Sequence, residues 1–131
     1  MRTLIVEDTL INQEFLRMIM SAWGECHVAD CGERAVDVFA GALEVAPFDI
    51  VLMDVMLPGI DGLQTLERIR ALEQSRGILP GDGIKAIITT ALDEADRAAQ
   101  LRDHGFAVSC LAKPVRQDAV ERELRKFGLI G

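Results

Sequence analysis

A chain of 131 residues, 50% hydrophobic and 27% charged, is long enough for one domain whose core needs neither disulfides nor a structural metal. Its net charge of −7 excludes broad electrostatic adhesion to nucleic acid or to an anionic membrane surface. No apolar stretch has the length of a bilayer span and no signal-peptide pattern follows Met1, so the expected location is cytoplasmic.

Arg2 to Val6 reads as a first strand, stopped by Glu7-Asp8. A helix follows, with Thr9 as its N-cap, Ile11, Phe15, Met18, Ile19 and Ala22 at helical spacing, and Gly24 as its stop. Cys26 to Ala29 makes a second short strand, and Asp30-Cys31-Gly32 turns into a helix carrying Ala35, Val38, Phe39, Ala42 and Leu43 until Pro47 forbids its continuation. Cys26, His27 and Cys31 superficially resemble metal ligands, but strand neighbours point to opposite faces and C-x-x-C spacing is missing, so they read as structural.

Asp49 to Met53 is an apolar run without polar alternation, the pattern of a strand covered on both faces. It delivers Asp54 to its carboxyl end. Pro58-Gly59 and Asp61-Gly62 supply turn chemistry before a helix that starts near Leu63 and carries Leu66, Ile69, Arg70 and Leu72. Gln74 to Gly83 is too rich in Gly and Pro to be anything but a loop, a surface insertion open to a role in partner choice. Lys85 to Thr89 is a fourth strand ending at Thr90, and Asp93 to His104 a helix whose alanine stripe buries little surface. Val108 to Ala112 is the fifth strand, ended by Lys113-Pro114, and a last helix turns Val120, Leu124 and Phe127 inward.

Five strands alternating with five helices specify a doubly wound α/β fold, a parallel sheet wrapped on both faces, in a single domain spanning residues 1–131. Such sheets bind ligands outside the carboxyl ends of their strands, where Glu7, Asp8, Asp54, Thr90 and Lys113 all fall. Three carboxylates held together repel one another and call for a hard divalent cation, and an oxygen-only donor set fits Mg2+ better than a thiol- or imidazole-loving ion. The same groups suit phosphoryl transfer. Asp54 is a nucleophile that needs no general base, Mg2+ and Lys113 offset phosphoryl charge, and the Thr90 hydroxyl donates to a phosphoryl oxygen. That last contact exists only once phosphate arrives, which is the differential interaction a switch requires. Singly, Asp8, Thr9 and Thr90 have an alternative as helix caps and Lys113 as a solvated charge. Those alternatives do not explain why all the site residues meet at one edge.

Val6-Glu7-Asp8, Asp54-Val55-Met56-Leu57-Pro58-Gly59 with Gly62 behind it, Thr89-Thr90-Ala91 and Lys113-Pro114, in this order, resemble the response-regulator receiver domain of two-component signalling from residue 2 to about residue 127. The resemblance implies a flavodoxin-like (βα)5 fold with strand order 2-1-3-4-5; no effector domain is expected after Phe127. It implies that Asp54 is the phosphoacceptor, supplied by a histidine kinase or histidine phosphotransfer protein that docks on the first helix around Leu10-Ile11-Asn12. Mg2+ would be held by Asp8, Asp54 and the Met56 backbone carbonyl, with Glu7 acting through a bound water. The chain would be a signalling receiver that promotes its own phosphorylation and dephosphorylation rather than an enzyme acting on a separate substrate. Its output would be a changed contact with an unknown downstream protein, through the Asp93–His104 helix, the fifth strand and the last helix, with no nucleic acid or membrane partner.

Two features depart from the family pattern. Cys110 stands where many members carry an aromatic residue coupled to the switch threonine, which shifts the expected output to the loop after Thr90. Met56 and Leu92, two past the nucleophile and two past the threonine, are apolar where a polar group would orient attacking water, so a long-lived acyl phosphate is expected. Three rivals carry the same fold class. A pseudo-receiver keeps the fold without phosphorylation; a phosphatase of the haloacid-dehalogenase type needs a second acid where Met56 stands; a flavodoxin-like carrier would have its flavin phosphate repelled by Glu7-Asp8-Thr9.

Overall fold

Five short apolar segments, β1 (Arg2–Val6), β2 (Glu25–Ala29), β3 (Ile50–Asp54), β4 (Lys85–Thr90) and β5 (Val108–Ala112), pair in parallel in the order β2-β1-β3-β4-β5. The structure is a computed structural model, and it describes residues 1–91 and 108–131. Leu92 and the helix expected over Asp93 to His104 lie outside the described residues. Four α-helices are described: α1 (Leu10–Met20), α2 (Gly32–Ala42), α3 (Gly62–Ser75) and α4 (Gln117–Lys126).

The period of two along the strands sorts the core into two layers. Leu4, Val6, Val51, Met53, Ala86 and Ile88 pack with Phe39 of α2 and Leu66 and Ile69 of α3. Ile5, Ile50, Leu52 and Ile87, on the opposite face, pack with Leu16, Ile19 and Met20 of α1 and Val120 and Leu124 of α4. Every residue of β3 is buried, as an unalternating apolar run requires when both faces are covered. The register then sets the site. Val6 pairs with Met53, which puts Glu7 level with Asp54, while Asp54 pairs with Thr89 and Thr90 with Ala112, one residue before Lys113.

Three local expectations are corrected. On α1 the buried residues are Leu16, Ile19 and Met20, whereas Ile11 and Met18 are 80% and 75% exposed and Phe15 is 45% exposed. Two apolar stripes run along this helix, and spacing alone does not say which one meets the sheet. Thr9 occupies the N-cap position without a side-chain capping bond, and α1 ends at Met20 in a short 3-10 turn, Ser21–Trp23, before Gly24. Finally, α3 runs through Gln74 and Ser75, so the irregular segment begins at Arg76. This helix is held at its start by a reciprocal cap: Asp61 accepts from the Gln64 N–H at 2.8 Å, and the Gln64 side chain accepts from the Asp61 N–H at 2.9 Å. Near its end, the buried Arg70 donates to Glu73 at 2.7 Å.

Candidate functional site

At the carboxyl edge of the sheet, the chain leaves β1 and β3 through residues that cannot continue an apolar core, and their side chains converge. Glu7, Asp8 and Asp54 each bring a carboxylate oxygen within 4.8 Å of the others. Glu7 and Asp54 are buried, at 2% and 5% exposure, while Asp8 faces solvent. From the end of β5, the Lys113 ammonium donates to Asp54 Oδ2 at 2.6 Å and lies 3.9 Å from Glu7 Oε2. The other Asp54 oxygen accepts the Met56 N–H at 3.0 Å. Lys113 is itself tied to β4, donating its main-chain N–H to the Thr90 carbonyl at 2.9 Å.

Burial, and then the neighbouring Asp54 charge, push the Glu7 carboxyl above its usual range; Lys113 and the Thr9 N–H pull it back only in part. One lysine thus faces three acids, two of them largely withdrawn from water. That inventory fits a hard divalent cation: all the donors are oxygens, they lie close enough to share one ion, and the local charge calls for one.

Loop geometry keeps the edge around Asp54 tight. A Cβ added to Gly62 would sit 2.3 Å from the Asp54 carbonyl oxygen, so only glycine lets the start of α3 close against the end of β3, where the Gly62 N–H donates to the Val55 carbonyl at 2.9 Å. Thr90 is buried at the end of β4, with its hydroxyl on the Ala91 carbonyl at 3.0 Å. The Met56 side chain is 64% exposed beside Asp54. Cys110 is half-buried on β5 against the core layer of α2 and α3. Between the start of α1 and the segment after β5 lies a cleft of about 550 Å³, lined by Glu7, Asn12, Phe15, Lys113, Pro114 and Val115 among others.

Glu7, Asp8, Asp54 and Lys113 therefore meet as the sequence implies, and Thr90 is joined to Lys113 through the main chain. Three residues at the same edge went unrecognised as neighbours of the acids. Glu7 Oε1 accepts from the Thr9 hydroxyl at 3.1 Å, the Thr9 N–H at 3.3 Å and the Asn12 side-chain amide at 3.4 Å. Gln13 donates its side-chain amide to the Glu7 carbonyl at 2.8 Å. The signal available was the run of polar side chains, Thr9, Asn12 and Gln13, in the first turn of a helix that begins just after two acids.

A doubly wound parallel sheet with three acids and a lysine at its carboxyl edge is the arrangement of a class of signalling domains. Residues 3–125 match the model of the response regulator receiver domain, and the chain belongs to that family, which works in two-component phosphorelays. It is 34% identical over 130 residues to the virulence sensor protein BvgS of Bordetella bronchiseptica, covering 96% of this chain and 10% of that protein. To the sensor histidine kinase RcsC of Escherichia coli it is 33% identical over 128 residues, covering 97% of this chain and 12% of that protein. The chain thus spans about a tenth of the length of these curated relatives. Among solved structures, it is similar to a co-crystal structure of the Saccharomyces cerevisiae histidine phosphotransfer signaling protein Ypd1 with the receiver domain of its downstream response regulator Ssk1. The TM-score is 0.80 at 23% identity, covering 98% of this chain and 88% of that one. A response regulator receiver domain protein from Clostridium thermocellum aligns with a TM-score of 0.77 at 19% identity, covering 96% and 92% of the two chains. Among the described residues, no helix is long and apolar enough to cross a membrane.

Proposed function

We propose that residues 1–131 act as one phospho-accepting receiver domain, in which Asp54 takes a phosphoryl group from a phosphohistidine on a histidine kinase or histidine phosphotransfer protein in the cytoplasm. The observation that carries this reading is the Lys113 ammonium 2.6 Å from Asp54 Oδ2, with Glu7 and Asp8 close by. In the transfer, an Asp54 carboxylate oxygen attacks phosphorus, a P–O bond forms, the P–N bond of the donor breaks, and the electron pair leaves with the imidazole. Asp54 is matched to this role because it is anionic without a base to deprotonate it. Lys113 balances charge on the phosphoryl oxygens, and the Thr90 hydroxyl exchanges the Ala91 carbonyl for one of those oxygens. Mg2+, when bound, would be held by Asp8, Asp54 and the Met56 carbonyl, with Glu7 through a water, and supplies positive charge against the transferring oxygens. The docking face is the solvent-facing apolar stripe of α1. The consequence is a changed contact with a downstream protein.

Incubating wild type and Asp54→Ala with Mg2+ and a small phosphodonor, followed by intact mass, tests the reading. Wild type gains one phosphoryl group and Asp54→Ala none. Equal gain in both proteins would move the acceptor elsewhere, and no gain in wild type would leave a pseudo-receiver. Because the apolar Met56 stands beside the acceptor where it cannot orient water, the modification outlasts a purification step in Mg2+; loss within seconds would contradict that.

A further inference from the structure

The side chains that hold Glu7 point to a role beyond support. Glu7 is fixed at both of its main-chain groups: its N–H donates to the Ala29 carbonyl at 3.1 Å, and its carbonyl accepts from Gln13 at 2.8 Å. Among the described residues, the hydrogen bonds to its carboxylate fall on one oxygen. Oε1 receives three donors from Thr9 and Asn12 at the start of α1, at 3.1, 3.3 and 3.4 Å, while Oε2 lies 3.9 Å from the Lys113 ammonium. A carboxylate oxygen offers about two lone-pair directions, so Oε1 has nothing left for a cation.

Resting on the metal-site reading above, we propose that Thr9 and Asn12 set the cation selectivity of the site. By occupying Oε1, they prevent Glu7 from chelating an ion with both oxygens. Ca2+ takes roughly 6–8 oxygen ligands and readily accepts bidentate carboxylates, whereas Mg2+ requires a compact octahedron and keeps several waters. A Glu7 that presents a single oxygen serves the second ion and starves the first. Burial of the side chain at 2% exposure removes the room to turn around this restraint. Thr9 and Asn12 are therefore positioning residues: they act on the ion only through Glu7.

The test is calorimetric titration of the full chain with MgCl2 and, separately, with CaCl2. Three proteins are compared: wild type, Thr9→Val/Asn12→Leu, which removes both side-chain donors at similar volume, and Thr9→Ser, which keeps the hydroxyl. The expected result for the double variant is Mg2+ binding weaker by about tenfold, the low end for groups that orient a metal-binding carboxylate, with Ca2+ binding not weakened, so that the Mg2+ over Ca2+ affinity ratio falls, while Thr9→Ser behaves as wild type. If the double variant does not fold, Thr9→Val alone must move the ratio the same way by a smaller factor. An unchanged ratio, whether both affinities weaken in parallel or neither does, would overturn this selectivity role and leave the metal site standing. Failure of wild type to bind Mg2+ would overturn both.

Discussion

Glu7 concentrates the electrostatic cost of the site in one side chain. It is buried beside Asp54, and burial first, then the Asp54 charge, raises its carboxyl above the ordinary value of 4.5. An acid whose pKa is raised on folding contributes stability that is fully present below its unfolded pKa and is lost as pH rises through its folded pKa. In metal-free buffer, then, Glu7→Gln melts at a higher temperature than wild type at neutral pH. The difference vanishes below pH 4.5, and added Mg2+ narrows it by stabilising wild type. Thermal melts of both proteins across pH in a chelator check this; a Gln variant that is equally or less stable at neutral pH would show that Lys113 and the α1 donors already compensate the charge. The acids themselves were legible in the sequence because each follows directly on an apolar strand, where a charge marks the end of the core. Asn12 and Gln13 were not, since neutral amides on a helix look solvated until the register brings the Glu7 carboxylate and carbonyl above them. Thr9 does stand at the N-cap of α1, and its hydroxyl bonds back to Glu7.

At the opposite end of the sheet from the acids, α3 and the Gly/Pro-rich segment after it depend on one carboxylate. Glu73 accepts from Arg70 at 2.7 Å and from the Ile84 N–H at 2.7 Å, both in buried surroundings, and its carbonyl accepts from the Ile78 N–H at 3.0 Å. A Cβ on Gly83 would fall 2.2 Å from its Oε2, which explains a glycine just before β4. Removing one member of a buried ion pair leaves an uncompensated charge, so Glu73→Ala costs about 3 kcal/mol or more. Urea denaturation would measure this as a lower midpoint at unchanged slope, and limited proteolysis should cut first between residues 76 and 84. A cost under about 1 kcal/mol, the range of exposed pairs, would mean that water replaces the pair. At this scale the strands were fully readable, because buried parallel strands are short apolar runs ended by turn or charged residues. The helix faces were less so: α1 carries apolar residues on two sides, and α3 outlasts its expected end because Gln74 and Ser75 are compatible with either state. Arg70 stands at helical spacing with the apolar positions of α3, and its partner Glu73, three residues on and within reach on the same face, is not singled out by that spacing.

Across the whole molecule, the residues that hold Glu7 and an exposed apolar stripe lie on or beside one helix, α1. Thr9, Asn12 and Gln13 hold Glu7, while Leu10, Ile11 and Met18 are 70%, 80% and 75% exposed. Large apolar side chains left in water on one helix beside the acids are the kind of patch that a partner protein covers, which is why the proposed docking face lies there. Chemistry and docking then separate experimentally, because a small phosphodonor reaches Asp54 without needing the helix. Ile11→Ser/Met18→Ser, which leaves every residue contacting Glu7 in place, accepts phosphoryl groups from a small phosphodonor at the wild-type rate. From a phosphohistidine protein that phosphorylates wild type, the same variant is phosphorylated at least tenfold more slowly at subsaturating concentration. The magnitude follows from burial of one large aliphatic side chain at an interface, about 1.5–3 kcal/mol, where 1.4 kcal/mol corresponds to tenfold. Equal slowing with both donors would mean that the stripe supports the site rather than the partner. No slowing with the protein donor would move the docking surface off α1, toward the cleft side formed by Pro114 and Val115.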